Sequence, residues 1–254
     1  MKNQIFVAMT TFYKSVNELR FKLACQTVIE AVKFGYRVII VDCSPDPMVK
    51  GTLYKLGAHI FNQKEPGIGP GRRELFGFAD SLCDPKDVIF CTEPEKVDIV
   101  RFISDIVEPI VAGGVDIVIP KRTKISWDSY PSFQEKSEKI ANLVYRKATG
   151  MEADPMFGPV AFSRDVAEYF RYFDPSEYKI ADNYVQHYSP LWAKSEGKKV
   201  STVEVDFIYP PEQKLEEEEM NRKFGEMVEK RLLQTLQLAE AYFILGERFR
   251  LVEI

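Results

Sequence analysis

The chain has 254 residues, of which 45% are hydrophobic and 28% are charged, so it is long enough to bury a sizeable core. A net charge of -4 and a pI near 5.5 argue against general binding to nucleic acid. The four cysteines show no C-x-x-C spacing and there are only two histidines, so neither a zinc centre nor a disulfide framework is indicated. Any metal site must therefore be built from carboxylates.

No run of 18 apolar residues occurs, and the apolar stretch near the N-terminus is too short for a signal sequence. We therefore expect no transmembrane segment and a cytoplasmic location.

Strand-like and helix-like stretches alternate through the first 120 residues. Strands are expected at residues 4–9, 37–41, 59–61, 88–91 and 115–120, and helices at 18–33, 49–56, 71–81 and 98–112. This alternation predicts an α/β fold with a mostly parallel, Rossmann-like sheet flanked by helices. We expect the sheet to end near residue 120, and ligands to lie beyond the carboxyl ends of its strands.

The second half of the chain is less regular. Helices are expected at residues 133–149, 164–172 and 180–196, and a strand at 199–205. Residues 212–248 have the pattern of one long helix, with apolar side chains at Leu232, Leu233, Leu236, Leu238, Ala239, Tyr242 and Phe243. We expect this C-terminal helix to pack against the body of the protein or, in a homodimer, against a second copy.

Polar side chains follow the first two strands. Thr10 comes after the first strand, and Asp42 and Ser44 come after the second. An Asp at such a strand end can accept hydrogen bonds from a base or a ribose hydroxyl, which makes these three residues candidates for binding a nucleoside. Asp and Ser also begin turns without any ligand, so both interpretations stay open.

A glycine-rich loop follows the third strand and leads into a helix. It contains Gly67, Gly69 and Gly71 and ends in Arg72 and Arg73. Glycines let the backbone approach a ligand closely, a helix N-terminus presents N–H groups, and the arginines add positive charge. The loop is therefore expected to face a diphosphate, although its spacing differs from that of the dinucleotide-binding motif.

The fourth strand is followed by Glu93-Pro94-Glu95. Carboxylate oxygens suit Mg²⁺ or Mn²⁺, and such ions take one or two protein carboxylates and complete their coordination with phosphates and water. The same three residues are also typical of a solvated helix start.

The order of these motifs resembles that of the family-2-type nucleotide-sugar glycosyltransferases of the GT-A fold. The resemblance covers residues 4–208 and includes a strand at 116–122 that ends in a basic residue. It implies a GT-A domain at 1–211, followed by a helical extension at 212–254. Within the domain, residues 1–122 would be the nucleotide-binding half and residues 123–211 the acceptor half.

The resemblance implies transfer of a sugar from a GDP- or UDP-sugar to an acceptor hydroxyl. Glu93 and Glu95 would hold Mg²⁺ or Mn²⁺, although the family more often has Asp-x-Asp there, which leaves the metal dependence open. Asp154 would contribute to nucleotide-sugar binding. Asp182 would be the catalytic base, with Glu177 as a weaker candidate.

Two other functions stay open from the sequence. A nucleotidyltransferase would share the sheet and the metal, but it would need a glycine-rich loop after the first strand, and residues 9–14 contain no glycine. A non-catalytic binding protein is the other alternative, in which Glu-Pro-Glu marks the loss of a metal site.

Overall fold

Seven strands form one sheet in the computed structural model, which describes residues 3–252. In chain order, strands β1 to β7 are Ile5–Thr11, Arg37–Asp42, His59–Asn62, Val88–Cys91, Ile117–Arg122, Val160–Ser163 and Val200–Val205. Their order across the sheet is β3-β2-β1-β4-β6-β5-β7. Strand β6 runs antiparallel to both of its neighbours, and the other pairs are parallel.

Helices cover both faces of this sheet. In chain order, helices α1 to α10 are Leu19–Lys33, Pro47–Lys55, Ile68–Leu82, Ile103–Val111, Lys124–Ser129, Ser132–Thr149, Ala167–Arg171, Val185–Ser195, Pro211–Phe224 and Glu226–Arg248. Short 3₁₀ turns include Val97–Phe102, Pro155–Phe157 and Asp182–Tyr184. Within residues 3–252, no helix is both long enough and apolar enough to cross a membrane.

The alternating side chains of β1 explain why the sheet is covered on both faces. Phe6 and Ala8 point into one hydrophobic cluster, which includes residues of α3, α6, α8 and α10. Val7 and Met9 point into the other cluster, which includes residues of α1, α2 and α4. Because successive side chains of a strand point to opposite faces, the continuous apolar run from Ile5 to Met9 places β1 at the centre of a covered sheet. The predicted α/β class with a mostly parallel sheet is confirmed.

The expectation that the sheet ends near residue 120 is wrong. Strand β6 inserts between β4 and β5, and β7 pairs with β5 at the edge, so strands from both halves of the chain form one sheet. Strand β6 has only four residues, too few to show a recognisable period, and it pairs with β4 across about seventy residues of chain. The strand predicted at 199–205 is confirmed as β7.

The C-terminal segment is two helices rather than the one that its pattern predicts. Helix α9 ends at Gly225, which has a left-handed φ of 66°, and α10 begins directly after it. Glycine adopts this conformation without steric penalty, so it ends one helix and reorients the next. Helix α10 buries Leu238, Tyr242 and Leu245 in the core, where it packs against α6. Leu232 and Leu236 stay exposed, and dimerisation through this helix stays a prediction.

A buried ion-pair cluster fixes the end of β5. The Arg122 guanidinium donates to both carboxylate oxygens of Asp154, at 2.7 and 2.8 Å, and to Glu138 Oε2 at 2.6 Å. It also stacks on the Trp127 ring, 3.6 Å from the ring centroid. Burial alone would raise the pKa of the Asp154 carboxyl, but the adjacent guanidinium outweighs this effect and lowers it. The cluster therefore joins β5, α6 and the segment that precedes β6.

We expect Arg122→Met to lower the free energy of unfolding by about 3–5 kcal/mol, because it leaves the buried Asp154 carboxylate without a cationic partner and Glu138 with Arg231 alone. Urea unfolding at pH 7.5 measures this loss. The matched control is Arg146→Met, which breaks an exposed pair with Glu152 and should cost under about 1 kcal/mol. Equal losses in the two variants would contradict a structural role for the cluster.

Candidate functional site

A cavity of about 720 Å³ opens at the carboxyl ends of the parallel strands. Its walls come from the ends of four strands and the loops that follow them: residues 10–13 at the end of β1, Cys43 after β2, residues 63–68 after β3 and residues 91–95 at the end of β4. Arg72, Gly158 and Gln186 complete the wall. The cavity thus lies where the strand order of a parallel sheet leads one to expect a ligand.

Asp42 joins the loops after β1 and β2. The side chain is buried, and its Oδ1 accepts hydrogen bonds from the hydroxyls of Thr11 and Ser44, both at 2.6 Å. Ser44 Oγ in turn accepts from the backbone N–H of Tyr13 at 2.9 Å. These bonds hold the floor of the cavity in place, while Thr10 and Cys43 reach its surface. Direct nucleoside contacts by Asp42 and Ser44 stay a prediction.

The glycine-rich segment is closed into a rigid loop by its own neighbours. Gln63 Nε2 donates to the carbonyls of Glu65 and Gly67, at 2.6 and 2.7 Å. The Glu74 carboxylate accepts from the backbone N–H groups of Lys64 and Glu65 at 2.9 and 2.7 Å. The loop is therefore preorganised before any ligand arrives, which lowers the entropic cost of binding.

The two arginines after this loop have different surroundings. Arg72 lies on the cavity wall and donates to the Asn183 carbonyl and to Gln186 Oε1, at 2.6 and 2.5 Å. Arg73 instead donates to both carboxylate oxygens of Asp182, at 2.5 and 2.8 Å. Of these two arginines, Arg72 therefore presents its positive charge to the cavity and Arg73 does not.

Gly69 explains why Asp182 can lie so close to the start of α3. A β-carbon at position 69 would overlap the backbone carbonyl and the carboxylate of Asp182. The glycine thus makes room for the Arg73–Asp182 pair, and neither Gly69 nor Asp182 is part of the cavity wall. Nucleotide-sugar binding by Gly69 and base catalysis by Asp182 stay predictions.

Glu93 lies on the cavity wall with its carboxylate against Gly158. Gly158 has a φ of 98°, and a β-carbon there would overlap the Glu93 carboxylate, so the close approach requires glycine. Glu93 Oε2 is buried and accepts no hydrogen bond within the described residues, and Lys96 Nζ lies 3.8 Å from it. This carboxylate oxygen is open to a further ligand.

Glu95 lies on the same cavity wall as Glu93. Its Oε1 accepts a hydrogen bond from the Tyr13 hydroxyl at 3.0 Å. Burial raises the pKa of the Glu95 carboxyl above its ordinary value of 4.5, although the Arg20 guanidinium opposes the shift. Its carboxylate therefore costs more to ionise than that of an exposed glutamate.

Asp154 does not line the main cavity. It belongs to the buried cluster with Arg122 and lines a separate surface cleft of about 310 Å³. Its contact with a nucleotide sugar stays a prediction. The motifs did not single out Phe12 or Gln186, which both line the main cavity. Phe12 could have been noticed from the sequence as an aromatic residue shortly after the first predicted strand. Nothing in the sequence marked Gln186.

We expect Glu95→Gln to raise the melting temperature at pH 7.5 and to have little effect at pH 4. A folded pKa above the unfolded value means that the carboxyl destabilises the fold increasingly as pH rises above about 4.5, and glutamine removes this cost while still accepting from Tyr13. Thermal unfolding at the two pH values measures the difference. The control Glu152→Gln, on an exposed side chain, should show no such pH-dependent gain.

No family model and no curated protein sequence matches the chain. Solved structures do: a mycobacterial protein superposes with a TM-score of 0.58 at 15% identity, over 80% of this chain and 65% of that one. Glucosyl-3-phosphoglycerate synthase from Mycobacterium tuberculosis, in complex with Mn²⁺, UDP and phosphoglyceric acid, superposes with a TM-score of 0.57 at 14% identity, over 92% of this chain and 78% of that one. The same enzyme with Mn²⁺ and UDP-glucose gives a TM-score of 0.55 at 14% identity, over 80% of this chain and 69% of that one. The chain therefore has the GT-A fold of glucosyl-3-phosphoglycerate synthase.

Proposed function

We propose that this protein transfers a sugar from a nucleotide diphosphate sugar to an acceptor hydroxyl. The observation that carries the proposal is the cavity at the strand ends, which has the Arg72 cation and the Glu93 carboxylate on its wall. A diphosphate needs a cationic side chain, and the divalent ion that accompanies it needs a carboxylate. In this sheet both groups lie at the carboxyl ends of the strands, where ligands bind.

The donor that we propose is a UDP-sugar, because the structural neighbours include one solved with UDP-glucose. The uracil would lie near Thr10 and Phe12, where an exposed aromatic ring offers a stacking surface. The diphosphate would lie between Arg72 and Glu93. Residues 1–122 would then supply most of the donor side, and Gly158 and Gln186 would come from the acceptor half.

The residues present fit a divalent cation held by one protein carboxylate. Glu93 would supply that ligand, since its Oε2 is buried and accepts no hydrogen bond in the described part of the chain. Glu95 suits a supporting role better, because it is bonded to Tyr13 and its pKa is raised by burial. No group of three His, Cys, Asp or Glu side chains lies close enough together within residues 3–252 to hold a metal without substrate. A bound Mg²⁺ or Mn²⁺ supplies positive charge to the leaving diphosphate.

The transfer itself exchanges one bond for another. The acceptor oxygen bonds to the anomeric carbon, the bond from that carbon to the β-phosphate oxygen breaks, and UDP leaves with the electron pair. Arg72 stabilises the charge that develops on the diphosphate. The proton of the acceptor hydroxyl goes to a base, for which Asp182 stays our candidate.

We expect UDP to raise the melting temperature of the protein, and Mn²⁺ to increase that shift. Specific binding to the folded state stabilises it, and a ligand at 100 times its Kd contributes about 2.7 kcal/mol. In Glu93→Gln the Mn²⁺-dependent part should disappear while the shift with UDP alone remains, and Glu152→Gln serves as the exposed control. No shift with UDP, GDP or any other nucleoside diphosphate would favour the non-catalytic alternative, and release of pyrophosphate would favour a nucleotidyltransferase.

Because we propose Asp182 as the general base, we expect Asp182→Asn to lower kcat by about 10²- to 10⁴-fold and to leave UDP binding unchanged. Initial rates of sugar transfer and UDP titrations measure the two quantities. Arg73→Gln is the matched control, because it breaks the same ion pair and keeps the carboxylate. Equal, small losses in both variants would assign Asp182 to positioning the start of α3.

A further inference from the structure

Lys96 is a cation beside the carboxylate that we propose as the metal ligand. It comes three residues after Glu93, and its Nζ lies 3.8 Å from Glu93 Oε2, within the range of an ion pair but too far for a hydrogen bond. Only 14% of the Lys96 side chain is exposed. It lines a second cavity, of about 190 Å³, which shares Glu93, Glu95 and Gly158 with the main cavity. Lys96 therefore belongs to the immediate surroundings of the candidate donor site.

Two aromatic rings hold the ammonium group of Lys96 in place. Its Nζ lies 5.3 Å from the ring centroid of Phe157 and 5.7 Å from that of Phe207. Both phenylalanines are fully buried, and their rings contact each other with centroids 5.2 Å apart. The attraction between a cation and an aromatic face is strongest where water is excluded. These rings therefore keep the positive charge beside Glu93 instead of leaving it free to turn into solvent.

Lys96 keeps its charge in this position. Burial lowers the pKa of the ammonium group, but the electrostatic effects of Tyr130 and the Glu93 carboxylate raise it, and the net shift is upward. The nearby Arg122 guanidinium lowers this pKa and the Glu138 carboxylate raises it. The Glu93 carboxylate thus has a counter-ion inside the protein before any metal arrives.

The carboxylate oxygen nearest to Lys96 is also the one that is open to a metal. Glu93 Oε2 is buried and accepts no hydrogen bond from any residue in the range 3–252. A divalent ion on this oxygen would share it with the ammonium group of Lys96, and like charges repel strongly where water is scarce. The ion therefore gains less from Glu93 than it would from an isolated carboxylate.

We propose that Lys96 is a resident counter-ion of Glu93 that disfavours divalent cations until a nucleotide diphosphate is bound. This inference rests on the proposed transferase function and specifies how its metal is admitted. Without nucleotide, the metal competes with Lys96 for one carboxylate oxygen. With nucleotide, the diphosphate adds negative charge that attracts the metal and the ammonium group alike, so the competition is relieved. Lys96 is thus a positioning residue that acts through Glu93 and makes the metal bind together with the nucleotide.

Mn²⁺ titrations of the full-length protein, followed by the EPR signal of free Mn²⁺, test this role. We expect Lys96→Met and Lys96→Gln to raise the affinity for Mn²⁺ without nucleotide by about tenfold or more, because a charge this close changes the cation affinity of a carboxylate by at least that factor. Lys96→Arg, which keeps the charge, should behave like the wild type. The matched control is Lys33→Met, since Lys33 also lies three residues after its partner Glu30 but on the surface.

Saturating UDP should reduce the advantage of Lys96→Met over the wild type, because the diphosphate then supplies the negative charge. A second expected result is that adding Glu93→Gln to Lys96→Met removes the gain in Mn²⁺ affinity. Damage to the site would weaken metal binding, so a gain that depends on Glu93 separates an electrostatic role of Lys96 from a merely structural one.

An unchanged or lower Mn²⁺ affinity in both Lys96→Met and Lys96→Gln would overturn the proposal, and so would a gain that persists without Glu93 or is undiminished by UDP. The UDP-induced rise in melting temperature shows that each variant is folded and keeps its donor site. Failure of the transferase proposal would appear separately, as the absence of any UDP effect in the wild-type protein. The Mn²⁺ titrations without nucleotide would still test the pairing of Lys96 with Glu93.

Discussion

The buried Arg122 guanidinium is the interaction on which the rest of the site depends. Through Asp154 it anchors the segment that carries Gly158, and Gly158 contacts Glu93 on the wall of the main cavity. Through Glu138 it reaches Arg231 of helix α10, which lines an adjoining cavity of about 190 Å³. One buried cation thus positions residues on the walls of both cavities. Such a cluster is expensive to desolvate, which fits a role in fixing geometry rather than in adding stability.

The first half of the fold could be predicted because its signals are local. Strands such as β2 and β4 are short apolar runs between helices whose apolar residues recur with helical spacing. The ends of these strands show where ligands should bind. Strand β6 could not be found in this way, because four residues show no recognisable periodicity and only pairing with β4 and β5, which are distant in sequence, makes them a strand. The break at Gly225 was visible as a glycine, but the helical pattern on both sides of it concealed the change of direction.

The site was predictable at the level of segments and less so at the level of side chains. The loops after β1, β3 and β4 do meet at one cavity. Which neighbouring side chain faces it depends on partners distant in sequence: Arg72 reaches the cavity, whereas Arg73 is held by Asp182. Similarly, Asp42 is occupied by Thr11 and Ser44, and Asp154 by Arg122. Polar residues at strand ends therefore often serve the architecture that presents a ligand-binding surface.

The reversed direction of β6 has a consequence for when the site can form during synthesis. A parallel strand contributes the residues that follow it to the ligand-binding edge, whereas an antiparallel strand contributes the residues that precede it, which is why Gly158 arrives opposite Glu93. This wall joins segments more than sixty residues apart, and closing so long a loop is entropically costly and slow. A nascent chain that already contains the loops after β1 to β4 therefore still lacks one wall of the cavity. A ligand could bind there only after β6 has emerged and paired.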